Sequence, residues 1–150
     1  MKGFTLIELL LVIGILVILM AAAVVAINPF RQFALANNAN RWSGVTTIMD
    51  AVYQNVVDNA GTFNCPTAIP ASATIMADPT TLPTGYDICG CLVPTYLSTL
   101  PYDPQAGSYT SCTTYDTGYN IAKDATTGRI TVCAPTTQIP PETATICVSR

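Results

Sequence analysis

Met1-Lys2-Gly3-Phe4-Thr5-Leu6-Ile7-Glu8-Leu9-Leu10 opens the chain, and an almost unbroken run of Leu, Ile, Val, Met and Ala follows to Ile27. Between Phe4 and Ile27 the only strongly polar side chain is Glu8. As a helix this stretch would reach roughly 36 Å, enough to cross a hydrocarbon core of about 30 Å with some tilt. Lys2 is the single basic residue at the N-terminal end of the run. The positive-inside bias therefore expects a cytoplasmic N-terminus and everything after Ile27 on the outside. A cleaved signal peptide fits poorly, because its apolar core spans about 7–15 residues and ends at a small-x-small site. Ala21-Ala22-Ala23 imitates such a site, yet the run continues through Val24-Val25-Ala26-Ile27.

A plain membrane anchor does not account for Glu8. An acidic side chain within an apolar helix costs on the order of 2.5–3.5 kcal/mol unless it lies at the interface or finds a partner. A cut between Gly3 and Phe4 would place a new amino group about one helical turn from Glu8. The free N–H groups of the helix start also favour an anion there. Lys2-Gly3-Phe4-Thr5-Leu6-Ile7-Glu8-Leu9 and the run behind it resemble the leader and N-terminus of the type IV pilin and pseudopilin superfamily. The shared features are a basic leader ending in Gly, then Phe, then Glu as the fifth residue after the cut. The resemblance implies cleavage after Gly3 by a membrane peptidase and methylation of the new N-terminal Phe4. It implies that Glu8 pairs with the Phe4 amine, in its own subunit or a neighbour, as helices bundle into a filament. The implied partners are further copies of the chain, the prepilin peptidase and an inner-membrane assembly platform.

Composition bounds the remainder. The 150 residues leave room for one domain beyond the apolar segment, and only 10% of them are charged. Loss of Met1-Lys2-Gly3 leaves five basic against nine acidic side chains, a balance of −4. No Lys/Arg cluster is present, so the chain shows no electrostatic footprint for nucleic acid. Six cysteines, at 65, 89, 91, 112, 133 and 147, all follow the apolar run, and there is no His. An even count in an exported region reads as three disulfides, for which 15 pairings exist. A zinc site at Cys89-Gly90-Cys91 lacks His and has one-residue spacing, so no metal is expected.

Asn28-Pro29 interrupts the first helix, and a kink near Pro29 is expected rather than a stop. Periodicity resumes at once: Trp42, Val45, Ile48, Met49, Val52 and Val56 form an apolar stripe, with Asn40, Arg41, Ser43, Thr47, Asp50, Gln54 and Asp58 on the other side. Asn59-Ala60-Gly61 reads as its C-cap. One long helix over about 4–59 is therefore expected, its second half packed on the head. Phe30 and Phe33 are expected at the lipid interface or against neighbouring subunits. Residues 62–91, rich in Thr, Ala, Pro, Ser and Gly, read as a long loop pinned by Cys65 and by Cys89 or Cys91. A helical turn over 92–100 would point Leu92, Tyr96 and Leu100 inward. Leu100-Pro101-Tyr102-Asp103-Pro104 then reads as a rigid turn with Asp103 as turn former, and it resembles a segment of the major pseudopilins and of some small bacterial pilins. Strands are expected over 109–115, 118–123, 129–133 and 143–148, with Asp124 to Gly128 as a hairpin loop.

The fold class is thus α+β, pilin-like, with a three- to four-stranded antiparallel sheet. The expected divisions are a leader at 1–3, a membrane and filament-core helix at 4–27, and an extracytoplasmic head at 28–150. An exported enzyme is the competing class. Without His, the Ser-His-Asp, Cys-His and His-metal sites are excluded. The carboxylates left for acid/base work, Asp87, Asp103, Asp116, Asp124 and Glu142, all stand beside turn residues. No cofactor is expected. Calcium in the C-terminal loops, known for some pseudopilins, would rest on Asp116 and Asp124, whose spacing matches no ligand pattern. The expected function is a pilin of a type IV pilus-like filament, held in the cell membrane before assembly and on the cell surface after it. A secretion or competence pseudopilin is the alternative. A membrane-anchored binding module is the reading from another class.

Overall fold

The computed structural model describes residues 3–138 and 145–150. It forms two compact units, Met1–Ala34 and Leu35–Arg150. In the first, helix α1 (Leu6–Ile27) ends at Asn28, whose φ of 47° and ψ of 79° lie in the left-handed region. Helix α2 (Pro29–Asp58) starts at the next residue, and the Asn28 backbone carbonyl accepts the Arg31 N–H at 3.1 Å. The expected continuous helix is therefore two helices joined through one residue. The Pro29 ring disfavours right-handed helical geometry at the residue before it, and Asn tolerates the left-handed alternative. At the other end, the Gly61 N–H bonds the Val56 carbonyl at 2.8 Å around Ala60 at φ 55°, a Schellman-type closure.

The head carries a five-stranded antiparallel sheet: β1 (Thr74–Ala77), β2 (Ser108–Ser111), β3 (Thr114–Lys123), β4 (Ile130–Ala134) and β5 (Ile146–Ser149). The path runs β1-β3-β4-β5, with β2 pairing the N-terminal end of β3. A short helix, α3 (Cys89–Leu92), precedes β2. Val45, Ile48, Met49, Ala51 and Val52 of α2 pack on Met76, Tyr115, Tyr119, Ile121, Val132, Ala134 and Ile146 of the sheet.

Three details differ from expectation. β1 lies inside the presumed loop, because Thr74 and Ile75 find Ile121 and Asn120 on β3, a partner no local pattern reveals. The 109–115 stretch is two strands with a turn at Cys112 and Thr113, Cys112 being held by its disulfide to Cys89. The buried stripe of α2 also sits differently. Asn38, Arg41, Val45, Ile48, Met49, Val52 and Asn55 are buried, whereas Trp42 is half exposed and Val56 only partly covered. Residue type assigned Trp42 to the core and Arg41 to solvent; the position of the sheet reverses both. Thr143, at the start of the expected last strand, lies outside the described residues.

Gly44 shows how tightly α2 approaches the sheet. A Cβ there would stand 2.8 Å from the Tyr119 hydroxyl and 3.0 Å from its ring, and Tyr119 is fully buried. Alanine is the better helix former by about 1 kcal/mol. Gly44→Ala is nevertheless expected to lower stability by about 1–3 kcal/mol, because overpacking against a rigid buried ring outweighs propensity. Equilibrium unfolding measures it, and a more stable variant would refute the close approach.

Candidate functional site

At the N-terminus, Gly3 and Phe4 are exposed and non-helical, with nothing within 4 Å of a Cβ built on Gly3. Thr5 caps α1: its backbone is extended (φ −82°, ψ 150°) and its hydroxyl oxygen accepts the Glu8 N–H at 3.4 Å. Thr5-Leu6-Ile7-Glu8 is a capping-box sequence, a local signal carried by the chain itself. Glu8 thus occupies the first turn, where the helix dipole favours it by about 0.3–1 kcal/mol. That does not offset the 2.5–3.5 kcal/mol cost of an acid in the membrane interior. Glu8 makes no ion pair among the described residues. From Leu6 to Ala26, 21 residues with mean hydropathy 3.2 are exposed throughout, a helix long and apolar enough to cross a membrane.

In the head the polar centre is Arg41 with Asp103, both fully buried. Arg41 Nε donates to Asp103 Oδ2 at 2.6 Å and Nη2 to Oδ1 at 3.2 Å, a two-pronged pair. Arg41 Nη1 donates to Asn38 Oδ1 at 2.9 Å. Asp103 Oδ1 also accepts the Gln105 and Ala106 N–H groups at 2.8 and 3.0 Å, and Oδ2 accepts the Thr136 hydroxyl at 2.8 Å. Burial by itself would raise the Asp103 carboxyl. The Arg41 guanidinium, the Gln105 and Ala106 amides and the Thr136 hydroxyl together override it and hold the carboxyl at about 2. One ion pair therefore fastens α2 to the Pro101–Gly107 turn and to the segment leaving β4. The turn is itself tied to β3, since the Asp103 N–H bonds the Thr117 carbonyl at 2.8 Å.

Disulfides close the frame: Cys65–Cys91, Cys89–Cys112 and Cys133–Cys147. Two of them anchor the 62–91 stretch, which nonetheless contributes Ile69, Met76, Tyr86 and Ile88 to the core. The third joins residues paired directly across β4 and β5.

Residues 1–24 match the family model described as the prokaryotic N-terminal methylation motif. The chain carries the leader of the type IV pilins and pseudopilins. No curated protein and no solved structure matches it. The motif supports the pilin or pseudopilin class, and with α1 it fits a membrane-anchored precursor.

In this leader-bearing chain the other sequence-derived positions are distributed as follows. Lys2 and Glu142 lie outside the described residues. Pro29 opens α2. The described acid/base candidates each take hydrogen bonds from neighbouring donors. Asp87 Oδ1 accepts the Tyr115 hydroxyl at 2.7 Å and the Cys89 N–H at 3.3 Å. Burial, then that bond to Asp87, pushes the Tyr115 phenol up. Asp116 accepts the Gly118 N–H at 2.8 Å. Asp124 takes the Thr126 and Thr127 N–H groups at 2.8 and 2.7 Å, and those bonds hold its carboxyl low. Asp116 and Asp124 stand near opposite ends of β3, roughly 25 Å apart along an extended strand, so the calcium pair is not assembled. Among the described residues no three His, Cys, Asp or Glu side chains are grouped to hold a metal. The position missed altogether was Arg41, whose signal was its three- and four-residue spacing from Asn38 and Val45.

Proposed function

We propose that the chain is a structural subunit of a type IV pilus-like filament, cut after Gly3, methylated on Phe4 and assembled through its apolar helix. The observation that carries this reading is the methylation motif over residues 1–24, with Glu8 one turn inside an apolar helix and without an ion pair among the described residues. Moving α1 from lipid into a protein bundle exchanges one apolar surrounding for another, so burial from water contributes little. Packing and charge pairing supply the specificity, and Glu8 meets the freed Phe4 amine of its own or a neighbouring copy. On this reading the head is scaffold, and neither catalysis nor a cofactor belongs to it. Six cysteines in an exported head favour a durable surface filament over a pseudopilin of a secretion or competence machine.

Glu8→Ala is expected to leave insertion and cleavage intact while sheared filaments fall to near background. The variant leaves the Phe4 amine in the bundle without its partner, at a cost of about 3–5 kcal/mol per subunit. Replacing Gly3 by a bulky residue is expected to block processing, so the leader's mass stays on the chain. Electron microscopy of sheared material and mass mapping of its N-terminus check both. Normal filament yield from Glu8→Ala, or a mature protein that retains residues 1–3, would sink the proposal.

A further inference from the structure

The unit Leu35–Arg150 contains four cationic side chains, Arg41, Lys123, Arg129 and Arg150. Arg41 is buried on Asp103. Arg150 bonds Asp50 at 2.5 Å, with its guanidinium 5.9 Å from the centre of the Tyr53 ring. Lys123 and Arg129 remain, and among the described residues neither forms an ion pair. Both are exposed and flank a single loop, that of the β3–β4 hairpin. Among the described residues of this unit, the positive charge outside ion pairs is therefore carried on one hairpin.

Its acidic counterpart is similarly restricted. Asp78 and Asp103 are buried, Asp87 and Asp116 take hydrogen bonds from their own surroundings, and Asp124 closes the hairpin loop itself. Asp50 and Asp58 share one cleft of about 580 Å³, lined also by Tyr53, Gln54, Val57 and Arg150. Arg150 already answers Asp50, whereas Asp58, beside the 73% exposed Val57, interacts with the Tyr96 side chain but has no cation among the described residues.

We infer that the β3–β4 hairpin of one copy docks through Lys123 and Arg129 into the Asp50–Asp58 cleft on α2 of a second copy. The occasion for that contact is the filament reading above. Acidic surfaces brought together without such a complement repel one another. The Lys123 stem covers Val57 and Tyr53 while its ammonium reaches Asp58, the usual division of a long amphipathic side chain.

Lys2 and Lys123 are the only lysines, so a chain without its leader offers one lysine amine. A water-soluble carbodiimide joins that amine to a touching carboxylate as an amide, the reagent taking up the elements of water. Applied to the full chain in its membranes and in sheared material, it is expected to give dimers containing a Lys123–Asp58 or Lys123–Asp50 peptide. Lys123→Arg keeps the charge and is expected to abolish the link; Asp58→Asn is expected to cut it about fivefold. Links confined to monomers, or dimers joined only at other carboxylates, would overturn the inference. Abundant filaments with no such dimer would overturn it while sparing the filament reading. Dimers of this kind in the absence of filaments would do the reverse.

Discussion

Arg41→Ala is expected to remove about 3–5 kcal/mol from the stability of the head, because it strands the Asp103 carboxylate in a fully buried site. Domains of ordinary size have only about 5–15 kcal/mol to lose, so much of the variant should be unfolded or degraded in the cell. Arg41→Lys keeps the charge but loses the two-pronged geometry and is expected to fall between the two. The pH dependence follows from the same pair. The folded Asp103 carboxyl sits at about 2, below its ordinary value near 4. Its stabilising contribution, about 2 kcal/mol, is complete above the ordinary value and is lost as pH falls from about 4 toward 2. Urea unfolding at pH 7 and across the acid range measures both. An Arg41→Ala protein within 1 kcal/mol of wild type at pH 7 would show that the pair holds little together.

Reduction of the three disulfides is the other large effect. On the chain-entropy account, the Cys65–Cys91 and Cys89–Cys112 bridges, with sequence separations of 26 and 23, each contribute about 3 kcal/mol. Cys133–Cys147, with a separation of 14, contributes somewhat less. The first two hold a stretch with little regular structure of its own, whose ordering hydrophobic burial alone barely offsets. Full reduction is therefore expected to lower the melting temperature by 15 °C or more, at roughly 4 °C per kcal/mol. Removing Cys65–Cys91 alone should loosen residues 62–91 first, visible as faster amide exchange there than in β3 and β4. A melting temperature unmoved by reductant would refute the account.

The two predictions concern features of unequal legibility. Six cysteines beyond an apolar run announce oxidised bridges, since count and compartment are properties of the chain. Their pairing required the fold: Cys89 and Cys91 neighbour each other in sequence yet reach different partners. They stand on α3, a helix too short to be periodic. Arg41 illustrates the opposite failure. Its type argues for solvent, and only the Pro101–Gly107 turn, folding back across 62 residues, supplies the carboxylate that permits its burial.

By itself the sequence determined the N-terminal half of the story: the apolar helix, an interruption at Pro29, the leader and the lone acid. Those depend on residues at most a few turns apart, where spacing and residue type carry the physics directly. The tertiary structure alone decided which face of α2 is buried, that β1 exists, how the cysteines pair, and which cations the head leaves free. Each of these is a choice among distant partners. The free energy of such a choice resides in the contact rather than in either segment, so neither segment read alone discloses it.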